Sequence, residues 1–325
     1  MTAPTTQSPS RSLFRIDRLR DYGVVLIVVC LVVLLSFYAN NFLTVRNFMN
    51  IADQNAHLFL VALGATLVII SGAFDLSAGQ VLSVVVVVAA QWSYELSNPI
   101  LGLLLALLLA VPIGMINGFI ISRFQINSFL ATLATGLILS GFALFAAGDQ
   151  LLDLSQNRTF TWLGTTRLGG VVPLSLIVSI LVFAVLSFML AWTKTGRHVF
   201  AVGANPEAAR LSGVSIIRIR VFVYAVASTC AAIGALIYTS RTGVGRVVAN
   251  ADSLTLSAIA AVVIGGTSIS GGRGALWRTV VGVLLLALLQ NAFNMLGIAP
   301  YWQTIVSGLV ILLAVLANAS ANREA

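Results

Sequence analysis

From residue 22 onward the chain is a succession of apolar runs of roughly twenty residues separated by short polar breaks, and this pattern restricts the fold more than any motif. In lipid only helices and closed barrels satisfy their own backbone, and the alternating pattern of barrel strands is absent. The runs predict spans at 22–39, 55–72, 76–93, 99–121, 129–147, 172–191, 219–240, 253–269, 275–296 and 301–318. The expected fold is an all-α integral membrane protein of about ten transmembrane helices. Composition agrees: 59% of residues are apolar and 9% charged, against about 45–50% and about 25% in soluble domains. The segments expected are a tail over 1–21, a single transmembrane domain over 22–318 and a tail over 319–325. The first apolar run, Val24–Tyr38, has no small-residue cleavage pattern after it and reads as a retained span.

The net charge of +8 suggests nucleic acid until the charges are placed. With the N-terminus in the cytoplasm and the spans alternating, Arg46, Arg158, Arg167, Arg241 and Arg246 fall outside and the other thirteen of 18 basic residues inside. That bias is the one that orients membrane proteins, and it predicts both termini in the cytoplasm with positive charge facing anionic lipid. The basic residues are scattered among loops and not interleaved with aromatics, so nucleic acid is excluded as a partner. Trp92, Trp162, Trp192 and Trp302 fall near span ends, as interfacial anchors do. Cys30 and Cys230 sit singly in apolar runs and read as small hydrophobes.

Three polar segments interrupt the pattern. The longest lies at 192–218 on the expected cytoplasmic side. There Asn205 can cap a short helix, Pro206 suits its first position, Glu207 suits its positive end and Gly213 can stop it. Ala208, Ala209 and Leu211 give it a small apolar face, suited to docking on a partner or to an ordinary linker. The second, Ser71–Gly79, carries Asp75. An aspartate costs about 2.5–3.5 kcal/mol at the bilayer centre, so it marks a function or a pairing. Gly72 and Gly79 are read as breaking the helix, leaving Asp75 to cap the next one in a tight turn. The third, 265–274, has five glycines but no lysine, so it is no phosphate-binding loop. It suits close helix approach, and with Arg273 and Arg278 it suits a docking surface or a hairpin.

Residues 126–139 resemble 299–312, and 75–90 resemble 252–266 more weakly. In the ten-span arrangement these pairs run in opposite directions, the geometry of inverted repeats. No enzyme signature appears. His57 and His198 have no nucleophile nearby, and Asp53, Glu95, Asp149 and Asp153 are read in outer loops. With no soluble domain, any driving chemistry must come from a gradient or from another chain.

The triple of SGAFDLSAG, GRHVFAVGANPEAARLSGV and AIAAVVIGGTSISGGRG, in order and spacing over about 24–318, resembles the permease subunits of bacterial monosaccharide ABC importers, the ribose-type family. The resemblance implies a paired permease, two cytoplasmic ATPase subunits that bind the ATP, a periplasmic sugar-binding protein, location in the bacterial inner membrane, and no cofactor in this chain. It further implies that Gly203, Ala204, Asn205, Glu207, Ala208, Ala209, Ser212 and Gly213 touch the ATPase. Asp75, Leu76, Ser77 and Gly79 match the family's signature turn, and Gly265, Gly266, Gly271, Gly272 and Gly274 its glycine-rich turn. The family turn usually reads SGGIDLSVG; here Ala73, Phe74 and Ala78 replace Gly, Ile and Val. Asn117, Gln290, Asn291 and Asn294, polar residues within spans, are candidates either to line a solute path or to tie helices together. The rival readings are a permease for another solute such as nucleosides or branched amino acids, a gradient-driven carrier, and a membrane-embedded enzyme. Only Asp75 offers the carrier an ionisable group in the bundle, and nothing offers the enzyme a cluster.

Overall fold

The computed structural model describes residues 13–38, 41–148, 151–299, 301–306 and positions 308, 309 and 312, with side chains from Val24 onward. Residues 1–12, the C-terminal tail, Asp149 and half of the last predicted span lie outside the described residues. The helices are α1 (Leu13–Tyr38), α2 (Val45–Gln54), α3 (Ala56–Ile70), α4 (Ala78–Glu95), α5 (Pro99–Phe124), α6 (Ser128–Ala147), α7 (Arg158–Thr165), α8 (Leu174–Trp192), α9 (Lys194–Ala204), α10 (Pro206–Leu211), α11 (Ile216–Thr242), α12 (Ala251–Ile264) and α13 (Leu276–Met295). Four two-residue strands complete the elements among the described residues. β1 (Leu152–Asp153) pairs antiparallel with β4 (Val244–Gly245), joining the loops after α6 and α11, and β2 (Arg167–Leu168) forms a hairpin with β3 (Val172–Pro173).

The bundle has an inner and an outer layer. Every residue from Leu60 to Ile70 in α3 and from Ala78 to Ala90 in α4 is buried. These helices are apolar on all sides because protein surrounds them. The outer helices α5, α6 and α8 bury 22% of their apolar stretch and expose residues such as Leu108, Ile138, Phe145, Leu181 and Phe188. An apolar surface that extensive belongs in lipid, not water. Trp162, Trp192 and Trp302 are exposed.

Helix α5 joins the layers through small residues. Gly102, Ala106, Ala110, Gly114 and Gly118 recur every fourth position and are all buried. A Cβ on Gly118 would lie 2.6 Å from Val221 Cα, and one on Gly114 would overlap the Tyr224 carbonyl oxygen. Close backbone approach through small residues is how helices associate in membranes without a hydrophobic driving force. Side chains add ties: the Thr66 and Thr279 hydroxyls lie 2.7 Å apart between α3 and α13.

The described residues do not confirm ten spans. Among the described residues five helices are long and apolar enough to cross a bilayer: α5, α6, α8, α11 and α13. The pair α2 and α3, bent by 54°, makes a sixth if it is one broken span. Helix α12, predicted as 253–269, has 14 residues, about 21 Å at 1.5 Å per residue, too short for a core about 30 Å thick. Asp53, expected in an outer loop, sits in α2 and is buried. It accepts a hydrogen bond from Ser175 Oγ and pairs with Arg167 at 3.6 Å.

Candidate functional site

The three polar segments meet. Gly203, next to last in α9, lies between the end of α3 and the glycine-rich turn before α13: a Cβ there would overlap the Ile70 carbonyl oxygen and lie 2.7 Å from Gly272 N. Gly272 N in turn donates to the Ile70 carbonyl at 2.9 Å. A Cβ on Gly271 would lie 2.7 Å from Gly72 Cα and 2.8 Å from the Gly203 carbonyl oxygen. Gly72, Gly271 and Gly272 all have φ between +70° and +81°, the region other residues avoid. Gly274 packs on Thr267 and Ile70. The glycine-rich segment is therefore a compact hydrogen-bonded turn. Gly265 caps α12 and Gly266, at φ +91°, leaves it, while Ser268 N donates to the Arg273 carbonyl.

The Asp75 turn lies between α3 and α4 and differs in detail from the expected form. Gly72, at φ +76°, follows the end of α3, but Gly79 lies inside α4 and breaks nothing. Its missing side chain serves proximity: a Cβ there would overlap the Ala251 carbonyl oxygen, and Gly79 N donates to Thr255 Oγ1 at 2.8 Å. Nor does Asp75 cap the helix. Ser77 holds the cap position, and Asp75 Oδ1 accepts from Ser77 N at 2.9 Å and Ser77 Oγ at 2.6 Å, locking the turn two residues on. Asp75 Oδ2 is buried without a hydrogen-bond partner.

A polar lattice extends from this turn. Asn117 of α5 donates from Nδ2 to Ser77 Oγ at 3.0 Å, and its Oδ1 accepts from Thr135 Oγ1 of α6 at 2.8 Å. Leu76 N donates to Thr132 Oγ1 and Phe74 N to Ser128 Oγ, both on α6, while Tyr224 of α11 donates its hydroxyl to the Phe74 carbonyl at 2.7 Å. Gln80 Nε2 donates to Asp252 Oδ1 at 2.9 Å. Buried polar groups in hydrocarbon need such partners, so the lattice fixes the turn against four helices at once.

The segment at 192–218 contains two helices, α9 and α10, where one was expected. Asn205 Oδ1 accepts from Ala208 N at 3.0 Å, Pro206 and Glu207 open α10, and Gly213 at φ +82° ends it with Val214 N donating to the Ala209 carbonyl. The apolar face divides: Ala209 is buried toward the bundle, whereas Glu207, Ala208, Leu211, Ser212 and Gly213 are exposed. Arg210 grips Glu207 with bonds of 2.5 and 3.1 Å and holds its carboxyl below the ordinary range. The pair is thus intact at neutral pH and is lost only as pH falls through that lowered value.

The four in-span polar residues separate. Asn117 is committed to the lattice, and Asn291 exchanges side-chain hydrogen bonds with Asn47 of α2 at 3.1 and 3.3 Å. Gln290 and Asn294 are exposed, with Asn294 Oδ1 accepting from Gln303. Sequence reading missed Ser128, Thr132, Thr255 and Asp252, whose partners are remote in the chain. It also passed over the Gly114–Gly118 spacing, which was legible.

An apolar-surfaced helical bundle with buried polar turns defines a polytopic membrane protein. The family described as the permease component of branched-chain amino acid transport systems matches residues 47–315. The chain is 36% identical to the ribose import permease of Bacillus subtilis over 88% of each chain. It is 34% identical to the ribose import permease of Escherichia coli K12, over 97% of this chain and 98% of the other. It is 31% identical to the galactose/methyl galactoside import permease of Haemophilus influenzae, over 92% and 94%. No solved structure matches. The chain belongs to this permease family, in its ribose-type branch. It is a multi-pass inner-membrane transport component of an importer with further components, and not itself an enzyme.

Proposed function

We propose that the chain forms the translocation path of an ATP-driven monosaccharide importer and receives the drive through residues 203–213. The observation that carries this is the meeting of Gly203 and Ala204 with both broken-helix turns. A partner moving α9 and α10 moves the end of α3 and the glycine-rich turn between α12 and α13 with them. The relatives' names, ribose and galactose import permeases, support the sugar. The basic bias supports cytoplasmic termini and a cytoplasmic α10. Two ATPase subunits bind and hydrolyse the ATP, a second permease completes the path, and a periplasmic binding protein delivers the sugar. The exposed Glu207, Ala208 and Leu211 meet the ATPase, and Gln290 and Asn294 are the in-span polar groups left to face the path.

The chain does no covalent chemistry; it contributes two packings of different affinity for its partners. The test is ATP hydrolysis by the complex purified with its ATPases and stimulated by the binding protein. The panel is pentoses and hexoses, with leucine included because the family description names branched-chain amino acids. Stimulation by a sugar is expected, and stimulation by leucine alone overturns the sugar reading. Glu207→Lys sets two cations side by side on α10 and is expected to uncouple the ATPases while the chain still inserts. Normal stimulated hydrolysis in that variant removes the docking assignment.

A further inference from the structure

A cavity of about 400 Å³ opens beside the Asp75 turn, between Gly72–Phe74, the end of α5 at Ile121, the start of α6 at Asn127 and Ser128, and Arg220 of α11. Arg220 is its one fixed charge. Among the described residues Arg220 makes no ion pair, and its Nε is buried with no hydrogen-bond partner. A guanidinium nitrogen stripped of water and given no acceptor carries an uncompensated desolvation cost, which an anionic oxygen offsets. Across the cavity stands the positive end of the 20-residue helix α6. Immediately beside it Phe124, Ile126, Phe129 and Leu130 are 43–65% exposed. A cationic pocket rimmed by bare apolar side chains fits a molecule with a phosphate at one end and hydrocarbon at the other.

We propose that this cavity binds the phosphate of an anionic phospholipid, with Arg220 as the phosphate ligand and the Phe124–Leu130 rim as the seat of the acyl chains. The cavity wall includes the turn between α3 and α4, so occupancy stiffens the same turn through which, on the function proposed above, the drive passes. The binding test does not depend on that function.

The full chain in neutral detergent is titrated with fluorescent phosphatidylglycerol and, separately, with phosphatidylcholine. Saturable binding of phosphatidylglycerol alone is expected. Arg220→Gln is expected to weaken it at least about fivefold, the effect of one basic residue on an anionic lipid, while Arg220→Lys retains most of it. Arg197→Gln, the same charge change at an exposed position outside the cavity lining, leaves it unchanged. Should Arg220→Gln fail to fold, Asn127→Asp decides the matter. Aspartate caps a helix as well as asparagine does, yet it puts a carboxylate in the cavity and is expected to abolish binding. Equal phosphatidylglycerol binding by wild type and Asn127→Asp overturns the site. Displacement of the lipid by glycerol 3-phosphate or inorganic phosphate at matching concentration overturns the lipid as occupant and identifies a soluble phosphate instead.

Discussion

Gly203 and Gly213 belong to one segment and lack a side chain for opposite reasons. Gly213 has φ +82° and open space around its Cα, so Gly213→Ala meets only the left-handed backbone penalty, about 1–2 kcal/mol. Gly203 has no room at all, because its Cβ would overlap Ile70 and Gly272. Gly203→Ala is expected to lower the melting temperature of the purified protein well beyond Gly213→Ala and to abolish stimulated ATP hydrolysis. Equal melting shifts for the two contradict the packing described. Asp75 allows a similar contrast. Asp75→Asn keeps the oxygen that accepts from Ser77 N and Oγ, whereas Asp75→Ala leaves Ser77 N buried and unpaired, at about 1–3 kcal/mol. Stability near wild type in the first and a clear loss in the second is the expected thermal-shift result.

At the scale of elements, the spacing of apolar runs gave boundaries within a few residues for the lipid-facing helices: 99–121 became Pro99–Phe124 and 172–191 became Leu174–Trp192. It placed α3 within two residues, 55–72 against Ala56–Ile70, but ran past α12, 253–269 against Ala251–Ile264. An apolar run records that water is absent, not whether lipid or protein has replaced it, so a buried short helix reads as a span. The Gly79 reading failed for a related reason, since a glycine within a helix serves a neighbour the chain meets again only at Ala251. The α5 stripe gives the sharpest element test: Gly118→Leu is expected to separate α5 from α11 and destabilise the chain beyond Leu108→Ala on the exposed face of the same helix. Thr66 and Thr279 form a pair, and Thr66→Val with Thr279→Val together is expected to cost less than the sum of the two alone.

For the molecule as a whole, each of the three polar segments announced itself by residue type, yet nothing local indicated that they touch. Gly72, Gly203 and Gly271 come from the turn after α3, the end of α9 and the turn between α12 and α13. Helix α10 was legible because a cap, a proline and a terminal glycine are local signals; the lattice of Asn117, Thr132 and Tyr224 was not, because its bonds cross between helices. Vesicles holding this chain alone are expected to equilibrate solute without concentrating it, and a cysteine at Ala208 is expected to react with impermeant reagents only from the cytoplasmic face. Uphill accumulation, or labelling from the opposite face, contradicts the proposed division of labour.

Where Gly203 lies against Ile70 and Gly272, peptide group rests on peptide group with nothing interposed. Side chains absorb small shoves by swinging between rotamers, whereas rigid planar amides have no such give. A push of a fraction of an ångström at that seam therefore arrives undamped at both ends it joins, as through a rod and not a cushion.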